Sequence, residues 1–178
     1  VEEAVAEPFR EAVLEQILSL KLGDPLQEKL DLSCLARPDL AQNLQQQVEE
    51  TIRQGATILH EGGLLPGSDT QYRPWLLTDI PKGSPARMEE LFGPVACLFP
   101  VPDAEAAIRL ANDTPYGLGA ALWSRDLDRA RHWARHLQAG AIAINGMVAS
   151  DPRLPFGGVK RSGFGRELGE EGIREFVN

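Results

Sequence analysis

Val95-Ala96-Cys97-Leu98-Phe99-Pro100-Val101, Leu118-Gly119-Ala120-Ala121-Leu122-Trp123 and Ala141-Ile142-Ala143-Ile144 are three short, mostly apolar runs separated by helical patterns. A strand with one face in water alternates apolar and polar residues. A run that is apolar throughout needs cover on both faces, as in a parallel sheet flanked by helices. Asp103 is placed to cap a helix on which Ala107, Ile108 and Ala111 share a face. Asp126 is placed to cap the next, with Leu127, Ala130, Trp133, Ala134 and Leu137 as its apolar stripe, and Gly140 ends it. Strand, helix, strand, helix, strand predicts an α/β protein with a mostly parallel sheet and helices on both faces.

Outward from this region, Phe9, Val13, Ile17 and Leu20 recur at helical intervals and predict an amphipathic helix from Glu2 to Lys21, stopped by Gly23-Asp24-Pro25. A second helix is expected over Pro38 to Arg53, with short strands at Ala56–His60 and Trp75–Thr78. Pro81-Lys82-Gly83-Ser84-Pro85 is a turn cluster. Beyond Ile144 a long loop leads to a final helix near Glu167 to Phe176. With no repeat, low-complexity segment or evident linker, the pattern reads as one domain.

The composition excludes several classes of function. A chain of 178 residues that is 43% hydrophobic can bury a core, about 70% of its unfolded surface for that size. Its net charge of −8, from 18 basic and 26 acidic residues, argues against nucleic acid or an anionic membrane as partner. Lys160, Arg161 and Arg166 fall close together, but in a glycine-rich loop they read as a solvated turn. Cys34 and Cys97 belong to no CxxC or Cys/His pattern, so a reducing, cytoplasmic compartment is expected. No apolar run approaches the ~18–20 residues that cross a bilayer.

Two glycine-punctuated segments carry the candidate chemistry. In Glu89-Glu90-Leu91-Phe92-Gly93-Pro94, a carboxylate could accept from both hydroxyls of a ribose while Phe92 lies against a flat ring; the alternative is an acidic turn with Phe92 in the core. The second segment runs from Pro155-Phe156-Gly157-Gly158 to Gly163-Phe164-Gly165-Arg166-Glu167. Its Gly163-Phe164-Gly165 is not a dinucleotide fingerprint, because Leu168 holds the third glycine position and no strand leads into it. Asn145 ends an apolar strand, at the edge where α/β sheets hold ligands. Ser150 and Arg153 could hold a substrate carboxylate, or Arg153 could pair with Asp151. Asn112-Asp113-Thr114-Pro115-Tyr116-Gly117 reads as a structural turn. His132 and His136 have a metal-ligand spacing but no third ligand, and no metal is expected. Cys97 sits in an apolar strand, where burial raises a thiol's pKa, and Cys34 in a polar loop without a neighbouring histidine.

In this order, Glu89-Glu90-Leu91-Phe92-Gly93-Pro94-Val95, Ala111-Asn112-Asp113-Thr114-Pro115-Tyr116-Gly117-Leu118 and Pro155-Phe156-Gly157-Gly158-Val159-Lys160 through Ser162-Gly163 to Gly165-Arg166-Glu167 resemble the C-terminal part of the aldehyde dehydrogenase superfamily. Lys21-Leu22-Gly23-Asp24-Pro25 fits the same region. Ser150-Asp151-Pro152-Arg153 looks most like the succinate-semialdehyde dehydrogenase branch.

The resemblance implies roles. Glu90 would bind the nicotinamide ribose hydroxyls, Phe92 would support the nicotinamide ring, and Phe156 would wall the substrate channel. Glu167 would support proton relay near the catalytic base, and Ser150 or Arg153 would hold the substrate's distal carboxylate. Family chemistry is attack by a cysteine thiolate, stabilisation of the oxyanion, hydride transfer to NAD or NADP, and hydrolysis by a glutamate-activated water. The resemblance also implies that residues 1–178 are the C-terminal part of the catalytic domain. The Rossmann domain, base glutamate and nucleophilic cysteine would precede it, and the terminal pairing strand would follow Asn178. The isolated chain is therefore expected to be inactive and to bind no cofactor tightly. Its expected partners are an aldehyde substrate, an N-terminal half or a second copy of itself. Two other classes stay open: a non-catalytic association module with the same fold, and a thiol enzyme using Cys34 or Cys97.

Overall fold

The computed structural model describes residues 1–26 and 29–177; Asn178 lies outside them. The chain separates into two compact units, Val1–Pro102 and Asp103–Asn178, although no linker composition marks the junction.

In the first unit the expected long helix is split. A 3₁₀ turn at Glu3–Val5 precedes helix α1, Ala6–Ser19. Ahead of the turn, Glu2 pairs in parallel with Val101, with the Glu3 amide donating to the Val101 carbonyl at 2.7 Å. The predicted stripe on α1 is present but not covered. Val13, Ile17 and Leu20, with Ala96, line an open apolar groove of about 310 Å³.

Helix α2, Pro38–Arg53, starts on a proline whose missing N–H costs nothing in the first turn. It buries Ala41, Leu44, Val48 and Thr51, spaced to share one face. That face meets a three-stranded sheet built from β1 (Thr57–His60), β4 (Trp75–Thr78) and β5 (Val95–Leu98), in the order β1-β4-β5. Between β1 and β4, a ribbon the sequence did not announce pairs β2 (Gly63–Leu64) with β3 (Tyr72–Arg73).

Strand β4 is the centre of this unit. All four of its residues are buried, which fits its uninterrupted apolar start. It pairs antiparallel with β1 and parallel with β5, with Trp75 opposite Val95 and Thr78 opposite Leu98. Leu44, Val48, Tyr72, Trp75 and Leu77 form the core; each large apolar side chain fully buried there is worth about 1.5–3 kcal/mol. The core's polar atoms are linked: Trp75 Nε1 donates to the Tyr72 hydroxyl at 3.2 Å, and that hydroxyl donates to Gln45 Oε1 at 2.8 Å. Between β4 and β5 lies the short helix α3, Pro85–Met88.

In the second unit both predicted caps form. Ala106 donates to Asp103 at the start of α4 (Ala104–Asn112) at 2.7 Å. After β6 (Gly119–Leu122), Asp126 Oδ1 accepts from the amides of Asp128 and Arg129 at the start of α5 (Leu127–Ala134). Strand β7, Ala141–Ile144, runs parallel to β6 with Gly119 opposite Ala141 and Leu122 opposite Ile144. The expected strand-helix-strand alternation is therefore present, with β5 at the edge of the first unit's sheet and β6 paired to β7 in the second. A 3₁₀ turn at Lys160–Ser162 and helix α6, Gly169–Arg174, complete the unit, α6 being shorter than the sequence suggested.

Candidate functional site

Each unit holds one of the two glycine-punctuated segments. In the first, α3 ends at Glu89, whose amide donates to the Pro85 carbonyl at 2.8 Å, and the chain then runs without helix or strand to β5. The neighbouring carboxylates meet different fates. Glu89 Oε2 accepts from Gln47 Nε2 at 2.7 Å. The Glu90 carboxylate is exposed and has no partner among the described residues. Phe92 is 64% exposed, so the reading that buried it in the core does not hold. A Cβ on Gly93 would come within 2.3 Å of Leu44 Cδ2 on α2, so any larger residue there would force that buried side chain to move.

In the second unit the main chain brings Phe156 and Glu167 together. The Phe156 amide donates to the Glu167 carbonyl at 2.7 Å, and the Glu167 amide donates back to the Phe156 carbonyl at 2.8 Å. The Glu167 side chain is exposed and has no partner among the described residues. Leu168 follows with a φ of 64°, a left-handed backbone that a glycine takes at lower cost. Its neighbour Gly169 donates to the Pro152 carbonyl at 3.1 Å, which ties the loop bearing Ser150 and Arg153 to the same place. Ser150 is exposed. Arg153 makes the Asp151 pair: Nε donates to Oδ1 at 2.9 Å and Nη2 to Oδ2 at 2.6 Å. That guanidinium holds the Asp151 carboxyl below the usual carboxylate range.

Lys160 and Arg161 are exposed on a 3₁₀ turn, as expected, and Arg166 is half-buried; all three also make specific contacts. Lys160 Nζ donates to the carbonyls of Asn112 at 2.7 Å and Thr114 at 3.2 Å. Arg166 Nη1 donates to the carbonyls of Gly158 at 3.1 Å and Gly165 at 2.6 Å. Arg161 lies over the Tyr116 ring at 5.9 Å. The Gly117 amide donates to Ser162 Oγ at 2.9 Å. The Asn112–Gly117 turn and the Val159–Ser162 segment, two separate motifs in sequence, are thus one packed junction.

Asn145 is occupied rather than presented to a ligand. Its Oδ1 accepts from the Ser124 amide and its Nδ2 donates to the Ser124 carbonyl, both at 2.8 Å, which holds its φ at 53°. His132 and His136 have ring centroids 5.0 Å apart, both rings beside Trp133, and no cluster of three or more metal-ligating groups occurs among the described residues.

Cys97 is partly buried on β5, and desolvation pushes its thiol up to about 11. At pH 8 only about one thiol in a thousand would then be ionised. Alkylation by iodoacetamide is expected to be slow at Cys97 at neutral pH and to keep rising between pH 9 and roughly 11, read by peptide mass mapping. A rate at Cys97 that levels off below pH 8 would instead mark a reactive thiolate.

The aldehyde dehydrogenase family model matches residues 1–178, and this chain belongs to that family. The probable succinate-semialdehyde dehydrogenase (NADP(+)) of Synechocystis sp. is 48% identical over 178 residues, covering 100% of this chain and 39% of that protein. The succinate semialdehyde dehydrogenase (NAD(P)+) of Escherichia coli is 44% identical, covering 100% of this chain and 38% of that protein. Among solved structures, succinic semialdehyde dehydrogenase from Streptococcus pyogenes in complex with NADP+ matches with a TM-score of 0.94 and 32% identity, covering 100% of this chain and 39% of that one. The chain has the α/β fold of these enzymes and spans about two fifths of their length. No helix among the described residues is long and apolar enough to cross a membrane.

Proposed function

We propose that these residues are the C-terminal part of the catalytic domain of an NAD(P)-dependent aldehyde dehydrogenase whose substrate is a short semialdehyde with a distal carboxylate, succinate semialdehyde first. The observation that carries this reading is the division of labour between Glu89 and Glu90. One carboxylate is tied to α2, and the other stands free beside an exposed Phe92. A free carboxylate accepts two hydrogen bonds at once, which suits the paired hydroxyls of a ribose. Phe92 offers a flat apolar surface to the ring that ribose carries.

A nicotinamide held there supplies the hydride acceptor. Glu167, held by its main-chain pairing to Phe156, would support proton movement, and Phe156 would line the aldehyde's path. Ser150 and Arg153 would meet the distal carboxylate, Arg153 by exchanging its Asp151 partner for the substrate. By the family resemblance the nucleophilic cysteine and base glutamate would lie in the portion that precedes these residues, and the chain alone would not turn over. Two free cysteines suit a cytoplasmic setting. A second reading, an association module, draws on the exposure of Phe164 at 100%, Phe176 at 88% and Met147 at 84%.

In the complete dehydrogenase, Glu90→Gln is expected to raise the Kd for NAD(P)+ about tenfold or more, since a charge-assisted bidentate contact becomes a neutral one. Binding within twofold of the unchanged protein would overturn the assignment.

A further inference from the structure

Helix α2 grips α3 and the chain between α3 and β5 at three successive turns. Leu44 packs on Gly93. One turn on, Gln47 Nε2 donates to Glu89 Oε2 at 2.7 Å and to the Glu90 carbonyl at 3.2 Å. A further turn on, the buried Thr51 hydroxyl donates to the Gln47 carbonyl at 2.8 Å and accepts from the Ala86 amide at 3.1 Å. Positions 44, 47 and 51 share a helix face, so the three grips lie along one line. Main-chain hydrogen bonds hold the two ends of the Glu89–Pro94 stretch, from the Glu89 amide to the Pro85 carbonyl at 2.8 Å and from the Trp75 amide to the Pro94 carbonyl at 2.9 Å, and Gln47 holds the acidic pair by its side chain.

Gln47 bears a cost for this. Its carboxamide oxygen is buried and has no hydrogen-bond partner among the described residues. Turning the amide over would aim that oxygen at a carboxylate and a carbonyl, two acceptors, so the acidic pair dictates the orientation. An unsatisfied buried acceptor is normally selected against, and its retention here accompanies two contacts to the acidic pair.

We infer that Gln47 is the positioning residue of Glu90. By engaging the Glu89 carboxylate and the Glu90 carbonyl, it makes the second carboxylate, and not the first, the one presented to the ribose of a nicotinamide nucleotide. This rests on the reading of Glu90 as the ribose ligand. Gln47 touches neither cofactor nor substrate in this scheme, so its effect falls on cofactor affinity and leaves the aldehyde side unchanged.

Gln47→Met keeps the side chain's length while removing the donor and the orphaned acceptor together. In the complete dehydrogenase it is expected to raise the Kd for NADP+ about three- to tenfold, with the KM for the aldehyde within twofold and the thermal midpoint unchanged or higher. Gln47→His, which keeps an N–H donor, is expected to recover most of the affinity. If Glu90→Gln weakens NADP+ binding and Gln47→Met does not, the positioning role is overturned and the ribose assignment stands. If neither weakens it, the ribose assignment fails and takes this inference with it. A Gln47→Met protein with a lowered midpoint and both KM values raised would mark an ordinary packing residue and overturn the inference.

Discussion

The 178-residue chain by itself is expected to give no reduction of NAD+ or NADP+ with succinate semialdehyde, and supplying the N-terminal portion is expected to restore it. The expectation follows from what a covalent route requires. Without a thiolate to attack the aldehyde there is no tetrahedral adduct from which hydride can leave, and no thioester for water to cleave. Enzymatic rate enhancements of this kind run to a million-fold and more, so loss of the nucleophile is close to all-or-none. Cys97 is a poor substitute, since burial pushes its thiol up to about 11. Co-expression with the missing portion, or with the corresponding part of the Synechocystis relative that is 48% identical, tests the point through the absorbance of reduced cofactor. Turnover by the chain alone would overturn the assignment. Stable association with no turnover would move the association module to the front.

Gly140→Ala is expected to be the most damaging single substitution in the second unit. A Cβ there would stand 1.7 Å from the Gly157 carbonyl oxygen and 3.1 Å from Gly158 Cα. Both obstacles are backbone, so no side chain can swing aside. The Gly140 amide is also fixed, donating to the Gly117 carbonyl at 3.1 Å, and Gly117 itself is crowded by the Gln138 carbonyl at 2.5 Å from its own would-be Cβ. Overpacking against an immovable backbone costs about 3 kcal/mol or more. In a unit of this size that is roughly 12–24 °C in the thermal midpoint. Gly146→Ala serves as the control, because nothing lies within 4 Å of its Cβ position. A Gly140→Ala protein that melts with the control would show that the junction can open without penalty.

What the sequence disclosed was local and periodic. The caps at Asp103 and Asp126 and the run Ala141–Ile144 were readable because each depends on residues a few positions apart. The β2–β3 ribbon was not, since strands of two residues carry no measurable alternation. Nor was the division after Pro102, which has no flexible or polar linker and follows instead from which strands pair. The stripe on α1 was legible as apolar, but the open groove it lines was not, because pattern reports what a face is made of and not what meets it.

The candidate site divides in the same way. Glu90 and Phe92 were visible through the motif they share. Gln47 was missed because a glutamine on a polar helix resembles any surface residue, and its partners lie 42 and 43 positions away. The turn bearing Lys160 and Arg161 is exposed as expected, but the carbonyl acceptors of Lys160 and Arg166 were not legible, because carbonyls leave no trace in side-chain composition. Asn145 was placed correctly at the strand's end, but its clamp on the Ser124 main chain was not legible, because its partner lies 21 positions away.

The Phe156–Glu167 pairing uses only amide and carbonyl atoms, so it is indifferent to which side chain occupies position 156. That makes the position an exchangeable fitting on a fixed mount. A collection of variants there would change the side chain presented at position 156 while the main-chain pairing keeps residue 167 in place, so the roles proposed for the two positions can be probed one at a time.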